Sequence, residues 1–146
     1  MKKKKIKMNY KIVGKYIKTL RFEIPNPKTF FLLEKKISNY KINIDIKSHR
    51  FRDKIIEVIV ALSLNPVIDE VDKINTNIIF STIIKIDGEV TEKKSLEEII
   101  LIKVPAEVYP EIRRLFILLF EKSGFNKIKI EEKIDFAKLY LDRTVQ

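Results

Sequence analysis

The residues from Tyr40 to Lys47 alternate strictly between apolar and polar side chains. Tyr40, Ile42, Ile44 and Ile46 occupy one set of positions, and lysine, asparagine or aspartate occupies the positions between them. Because successive side chains of a β-strand point to opposite faces, this pattern predicts a strand with one apolar and one polar face. The fold must therefore contain a sheet that is covered on one side.

Three other segments of the N-terminal half are also predicted to be strands. The first alternates with a period of two and contains Gly14, where we expect a bulge. Pro25 and Pro27 then end it, because proline lacks a backbone donor. The third segment is rich in β-branched residues, and the fourth is closed by the turn pair Asp87-Gly88. The four predicted strands cover residues 9–22, 40–47, 55–64 and about 74–86.

Two connections between these strands carry specific expectations. Residues 28–38 form an apolar connection, in which Phe30, Phe31 and Leu33 are crowded together. Such a cluster is either core or a protein-binding surface, because connecting segments are normally polar. Residues 48–54, which contain His49, are predicted to form a turn.

The C-terminal half changes to helical periodicity. Residues 95–98 (Ser-Leu-Glu-Glu) match a capping box that opens a short helix to about residue 102, and Pro105 interrupts it. A longer helix is predicted over about residues 109–122, because Pro110 fits only in a first turn and Gly124 is the expected stop. The apolar stripe of this helix consists of Val108, Ile112, Leu115, Phe116 and Leu119.

A last helix is predicted over residues 134–142, with Asp135 favourably placed near its N-terminus. Strands followed by helices indicate an α+β fold, in which helices cover one face of an antiparallel sheet. The length of 146 residues fits a single domain over residues 1–146, with a flexible lysine-rich start over residues 1–7.

The composition argues against an enzyme. There is no cysteine, and His49 is the only histidine, so we interpret it as an exposed residue without a partner. Metal sites built from several histidines or cysteines are therefore impossible, and no carboxylate spacing resembles a calcium loop. The three glycines form no phosphate-binding loop, and no serine lies in a nucleophile elbow. We expect neither a cofactor nor a metal.

The formal net charge of +10 allows two interpretations. The lysines near the start, interleaved with Tyr10 and Tyr16, resemble a surface that binds nucleic acid. In the second interpretation the lysines are ordinary solvent-facing residues. This interpretation is favoured, because the lysines are spread along the whole chain. Neither a signal peptide nor an apolar run long enough for a membrane span is visible, so a cytoplasmic protein is expected.

Four phrases in a fixed order resemble the SecB family of protein-export chaperones. Residues 22–27 read Phe-Glu-Ile-Pro-Asn-Pro, and Val104-Pro105 is followed by Tyr-Pro-Glu-Ile-Arg over residues 109–113. Gly124-Phe125 comes next, and residues 135–140 read Asp-Phe-Ala-Lys-Leu-Tyr. Each phrase alone is weak, but their order and spacing cover most of the chain.

The resemblance implies a SecB-like fold, a four-stranded antiparallel sheet with two main helices packed on one face. It also implies a homotetramer built as a dimer of dimers, and an ATP-independent holdase that binds unfolded or precursor polypeptides in apolar grooves for export. The oligomer interface would use three residues off the main helical stripe, Ile117, Leu118 and Phe120. The client-binding residues would be Phe30, Phe31, Leu33, Ile74, Thr76 and Ile78.

The resemblance also concerns a docking partner, the translocation motor. Family members grip a translocation motor through acidic residues on the sheet, and Glu23 matches one of these positions. Thr19 and Asn77 stand at the others, and with the basic net charge they argue against docking of a motor. A chaperone dedicated to one partner, such as an antitoxin, and a basic nucleic-acid-binding protein remain the alternatives.

Overall fold

The N-terminal half of the chain forms four strands, β1 (Asn9–Glu23), β2 (Tyr40–Arg52), β3 (Ile55–Pro66) and β4 (Asn75–Asp87). They make one antiparallel sheet in the order β1-β4-β3-β2, so β1 and β2 are the two edges. The computed structural model describes residues 9–36, 40–66, 74–89, 92–125 and 128–145. The four predicted strands are thus confirmed. The lysine-rich start at residues 1–7 lies outside the described residues.

The two faces of the sheet differ because the side chains alternate along each strand. On the helix face, the side chains of Val58, Val60 and Leu62 in β3 are buried beside those of Ile78 and Ile84 in β4. The opposite face, here named the outer face, carries polar groups and several half-buried side chains. The expected pattern of one covered side is confirmed.

β1 is irregular at two places. Its pairing with β4 shifts register between Ile12 and Gly14, and again between Ile17 and Thr19. The first shift confirms the bulge that was expected at Gly14, with Val13 as the extra residue. Bulges increase twist and bend a strand, and they are common at sheet edges.

The apolar connection after β1 is a helix, α1 (Pro27–Lys36), whereas the sequence predicted only a connection. Asn26 explains the difference, because its Oδ1 accepts a hydrogen bond of 2.8 Å from the backbone N–H of Thr29. Pro27 follows as the first helical residue, where its missing N–H costs nothing.

The turn predicted over residues 48–54 is much shorter than expected. β2 continues to Arg52, and only Asp53 and Lys54 form the turn, with Lys54 at a φ of 63°. Residues 48–50 lack apolar alternation but pair in register with Val58 to Ile56 of β3. Backbone pairing with an apolar partner strand therefore extends β2 beyond its own pattern.

The second half contains α2 (Lys93–Glu98), a π-helical segment (Ile99–Lys103), α3 (Val104–Lys122) and α4 (Phe136–Val145). The expected interruption at Pro105 is wrong, because the chain stays helical across it and α3 begins five residues before Tyr109. A widened π-turn immediately before Pro105 gives its ring room in the preceding turn. The capping box is also wrong, since Glu92 is the N-cap and Ser95 lies within α2.

The C-terminal end of α3 and the position of Asp135 at the start of α4 agree with the sequence, although α4 covers Phe136–Val145 instead of the predicted residues 134–142. Gly124 has a φ of +93°, and the helical stripe of α3 is buried at Val108, Ile112 and Phe116. α4 begins directly after Asp135, whose Oδ1 accepts a hydrogen bond of 3.0 Å from the N–H of Lys138. Asp135 is thus the N-cap of α4.

Candidate functional site

Most of the residues predicted to bind a client are buried inside the chain. Leu33 and Ile78 are fully buried, and Ile74 and Thr76 are 4% exposed. Ile78 and Thr76 point from β4 into the core on the helix face, where they cannot contact another polypeptide unless the core opens. In the structure these four side chains contribute to packing, and their role in client binding stays a prediction.

Phe30 and Phe31 remain near the surface. The Phe30 ring lies half-buried, 4.9 Å from the Phe125 ring and 5.6 Å from the Phe31 ring. Phe31 itself is 60% exposed. Of the six predicted client residues, only Phe31 offers a large free apolar side chain.

A cleft lies elsewhere, between edge strand β2 and α4. Its volume is about 250 Å³, and it is lined by Ile44, Asp45, Ile46, Leu101, Leu139 and Tyr140. Leu139 is 44% exposed at its mouth. Edge strands carry unpaired backbone N–H and C=O groups, and the far side of β2 is unpaired among the described residues. The cleft thus combines apolar side chains with a free strand edge.

Contacts at the start and in the middle of α4 hold this wall of the cleft in place. Tyr140 donates a hydrogen bond of 2.9 Å from its hydroxyl to Glu97 Oε2 in α2. That bond to a carboxylate raises the pKa of the Tyr140 hydroxyl. At the start of α4, the Phe136 ring packs 6.0 Å from the Tyr109 ring of α3. The hydroxyl of Tyr109 also donates a 2.5 Å hydrogen bond to the carbonyl of Glu131, which precedes α4. α4 thus contacts α2 through Tyr140 and α3 through Phe136.

Sequence reasoning missed this cleft. Its signals were visible separately, as the alternation of Ile44 and Ile46 and as the apolar residues Leu139 and Tyr140 of the last helix. Nothing in the sequence brings these two segments together, because they lie far apart along the chain.

The three predicted interface residues of α3 differ in exposure. Leu118 is 47% exposed, Ile117 is half-buried and Phe120 is fully buried. The Phe120 ring packs 5.0 Å from Phe22 and 6.1 Å from Phe125. Phe120 therefore has no exposed surface with which to contact another subunit. It lies off the predicted apolar stripe because the buried face of α3 is wider than that stripe.

Several further apolar side chains are exposed on edge strand β1, among them Val13, Ile17 and Leu20. Ile17 is 45% exposed, and Leu20 is 47% exposed. They add to the free apolar surface that Leu118 provides on α3.

Glu23 lies exposed at the end of β1, opposite Asn75 on β4. The register places Thr19 and Asn77 on the same outer face. The predicted docking positions therefore share one surface, and Glu23 is the single carboxylate among the three.

A buried carboxylate, Glu57, lies on the outer face, near the start of the interior strand β3. It is 6% exposed and accepts 2.5 Å hydrogen bonds from the hydroxyls of Tyr16 and Ser81. Lys18 Nζ lies 3.6 Å from its Oε1, and His49 Nε2 lies 3.2 Å from the same oxygen. The hydrogen bonds from Ser81 and Tyr16, followed by the charge of Lys18, hold the pKa of Glu57 below its ordinary value.

This cluster corrects the interpretation of His49. The side chain is exposed, as expected, but it has a partner, because the register of β2 and β3 places it directly opposite Glu57. Among the described residues, no three histidine, cysteine, aspartate or glutamate side chains could hold a metal ion. In the same part of the chain, no helix has the length and apolarity to cross a membrane.

Comparisons with known proteins agree with one another. A family model described as preprotein translocase subunit SecB matches residues 3–146. A putative protein-export protein SecB from Pelagibacter ubique is 42% identical over 92% of this chain and 96% of its own length. A protein-export protein SecB from Anaplasma phagocytophilum is 25% identical, with 89% of each chain covered.

Solved structures of similar fold include a SecB-like chaperone. It is the SecB-like chaperone of Mycobacterium tuberculosis in complex with a peptide from the HigA1 antitoxin. The TM-score is 0.61, and the match covers 84% of this chain and 89% of that one. At 11% identity, the likeness concerns the fold alone.

Proposed function

This chain belongs to the SecB family, and from that membership we propose that it is an ATP-independent holdase for unfolded or precursor polypeptides. Relatives named protein-export proteins support a chaperone role in export. The observation that carries the holdase mechanism is the apolar cleft beside the free edge of β2. The mechanism involves no catalytic step, and it operates in the cytoplasm before translocation.

An extended client would add to the sheet as a strand beside β2. Its backbone would pair with the free edge, and its apolar side chains would enter the cleft between Ile44, Ile46 and Leu139. At about 250 Å³ the cleft is smaller than the roughly 300 Å³ at which small-molecule pockets begin. It suits one or two side chains of a longer segment, so binding would have low sequence specificity.

Phe31 is a second contact point in this proposal. Its exposed ring provides apolar area on α1. Several weak contacts on linked subunits would give avidity without a tight single site. We propose a homotetramer whose interface includes Leu118 and the exposed edge of β1. Phe120 is not part of this interface, because it is fully buried within the subunit.

A chaperone dedicated to one partner is the second candidate. The solved relative of similar fold holds a peptide from a single antitoxin. Such a chaperone would bind one short segment tightly and fail on unrelated clients. The nucleic-acid alternative is less favoured, because the hydroxyls of Tyr10 and Tyr16 are both bonded to carboxylates. The lysines at positions 2–5 and 7, on which that alternative also drew, lie outside the described residues.

The test is light scattering of several chemically denatured proteins diluted into buffer with and without this chain, in moderate salt. The molar mass of the chain is measured in the same buffer. Suppressed aggregation of unrelated clients by a species of four subunits would support the general holdase. Suppression of none of them, with the tetramer intact, would overturn the general holdase and leave the dedicated chaperone.

A further inference from the structure

Three cations line up across the outer face at one end of the sheet. The strand register places Lys11 opposite Lys85, Lys85 opposite Ile55, and Ile55 opposite Arg52. All three basic side chains are exposed, and none of the described residues forms an ion pair with them. Like charges directly opposite each other destabilise a sheet, so this row favours a partner that brings negative charge.

The β2–β3 hairpin adds an apolar side chain at the corner of this row. The pairing shifts register between Arg50 and Arg52, so Phe51 is the extra residue of a bulge. Phe51 is 63% exposed, the highest value among the large apolar side chains of the described residues. The guanidinium carbon of Arg52 lies 5.1 Å from the centre of its ring. Lys54 follows in the turn.

The charge around this end of the sheet remains positive when the nearby acidic residues are counted. Five cations, Lys11, Arg50, Arg52, Lys54 and Lys85, stand against three carboxylates, Asp53, Asp87 and Glu89.

The shape of this surface distinguishes between anionic partners. Single-stranded nucleic acid is bound in a groove where several aromatic side chains stack successive bases. Here one phenylalanine stands on the tip of a hairpin, and Arg52 already covers its ring from one side. A projecting apolar side chain surrounded by cations matches a flat surface with negative headgroups and an apolar interior.

We propose that the end of the sheet formed by Lys11, Lys85, Arg52 and Phe51 docks on the surface of an anionic lipid bilayer. The cations contact headgroups, and the Phe51 ring enters the boundary between headgroups and acyl chains. The cleft at Ile46 lies five residues along β2, about 16 Å away at roughly 3.3 Å per residue. A bound client and a membrane surface can therefore be held at the same time.

The test is cosedimentation of the full chain with vesicles of phosphatidylcholine, alone or mixed in equal parts with phosphatidylglycerol. We expect binding to the mixed vesicles only, decreasing as salt is added. Phe51→Ala should weaken it by about tenfold, because the ring provides the apolar contact. The triple variant Lys11→Gln, Lys85→Gln, Arg52→Gln should weaken it by about fivefold per cation, or about a hundredfold in total.

Matched controls separate this site from general effects. Phe31→Ala removes a phenylalanine of similar exposure from α1, outside the proposed surface, and should leave vesicle binding unchanged. The helix-surface triple Lys103→Gln, Lys122→Gln, Lys138→Gln lowers the net charge equally and should weaken binding far less. Suppression of client aggregation should persist in Phe51→Ala. The experiment therefore distinguishes a failure of the membrane proposal from a failure of the holdase proposal.

Three results would overturn the proposal. One is equal loss of binding in the two triple variants, which would mean that net charge alone attracts the chain. Another is unchanged vesicle binding both in Phe51→Ala and in the triple variant of Lys11, Lys85 and Arg52, which would assign the binding to other lysines. The third is binding of single-stranded RNA, more tightly than vesicles and with loss in Phe51→Ala, which would make the hairpin a nucleic-acid site.

Discussion

The hydroxyl of Tyr16 on β1 reaches across β4 and donates a 2.5 Å hydrogen bond to Glu57 on β3. Ser81 donates to the same carboxylate from β4, and His49 approaches it from β2. One buried side chain thus connects all four strands of the sheet. Lys18 is the extra residue of the second bulge of β1 and also lies beside Glu57, so this irregular edge strand is fixed to the rest of the sheet.

We expect Glu57→Gln to lower the free energy of unfolding by about 1–3 kcal/mol, because hydrogen bonds to a charged, buried acceptor are lost or weakened. Chemical denaturation of the two proteins measures the difference. Asp45→Asn is the control, because its ion pair with Lys47 is exposed and 3.9 Å long, and it should change stability by less than about 0.5 kcal/mol. Equal effects of the two substitutions would contradict a role for Glu57 across the sheet.

The stability should also depend on pH through Glu57. Its pKa in the folded chain is below the ordinary value of 4.5, so the unfolded chain binds this proton more tightly. The stabilisation is complete above pH 4.5 and is lost as the pH falls through the folded-state pKa. The difference in unfolding free energy between the wild type and Glu57→Gln, measured at several pH values, should shrink below pH 4.5. A constant difference through this range would contradict the lowered pKa.

The sequence predicted the strands well because apolar alternation is a local property. It failed where a tertiary partner decides the structure. Residues 48–50 have no strand pattern of their own, yet they pair with β3, and His49 meets Glu57 only through that register. Glu57 is visible in the sequence as the single carboxylate among the apolar residues 55–62. That pattern does not show which residues it contacts.

The candidate site was predicted less well than the fold, for the same reason. Phe31 and Leu33 are two positions apart in one apolar cluster, but one is 60% exposed and the other is fully buried. Composition alone cannot separate them, because both are apolar residues of the same helix. The cleft joins β2 to α4, and only the packing of α4 through Phe136 and Tyr140 creates it.

Phe120 and Leu118 should respond in opposite ways when changed. We expect Phe120→Ala to lower stability by about 3–5 kcal/mol, because it empties a fully buried aromatic position. Leu118→Glu should preserve the folded subunit and reduce the molar mass measured by light scattering, because it places a charge in the proposed interface. A tetramer that persists in Leu118→Glu would exclude this part of α3 from the interface.

Two exposed apolar residues, Leu139 and Phe31, distinguish the cleft from the cluster that the sequence first indicated. We expect Leu139→Asp to weaken binding of an unfolded client peptide by about tenfold or more, because a carboxylate in an apolar cleft is costly to desolvate. Fluorescence anisotropy of a labelled peptide measures this.

Phe31→Asp should have a smaller effect on the same peptide, since its ring is a peripheral contact in this proposal. Phe51→Asp is the matched control, because it adds the same charge at an exposed phenylalanine of the hairpin, about 16 Å along β2 from the cleft. Circular dichroism checks that each variant folds. A large loss in Phe31→Asp with none in Leu139→Asp would move the client site to α1, as the sequence alone suggested.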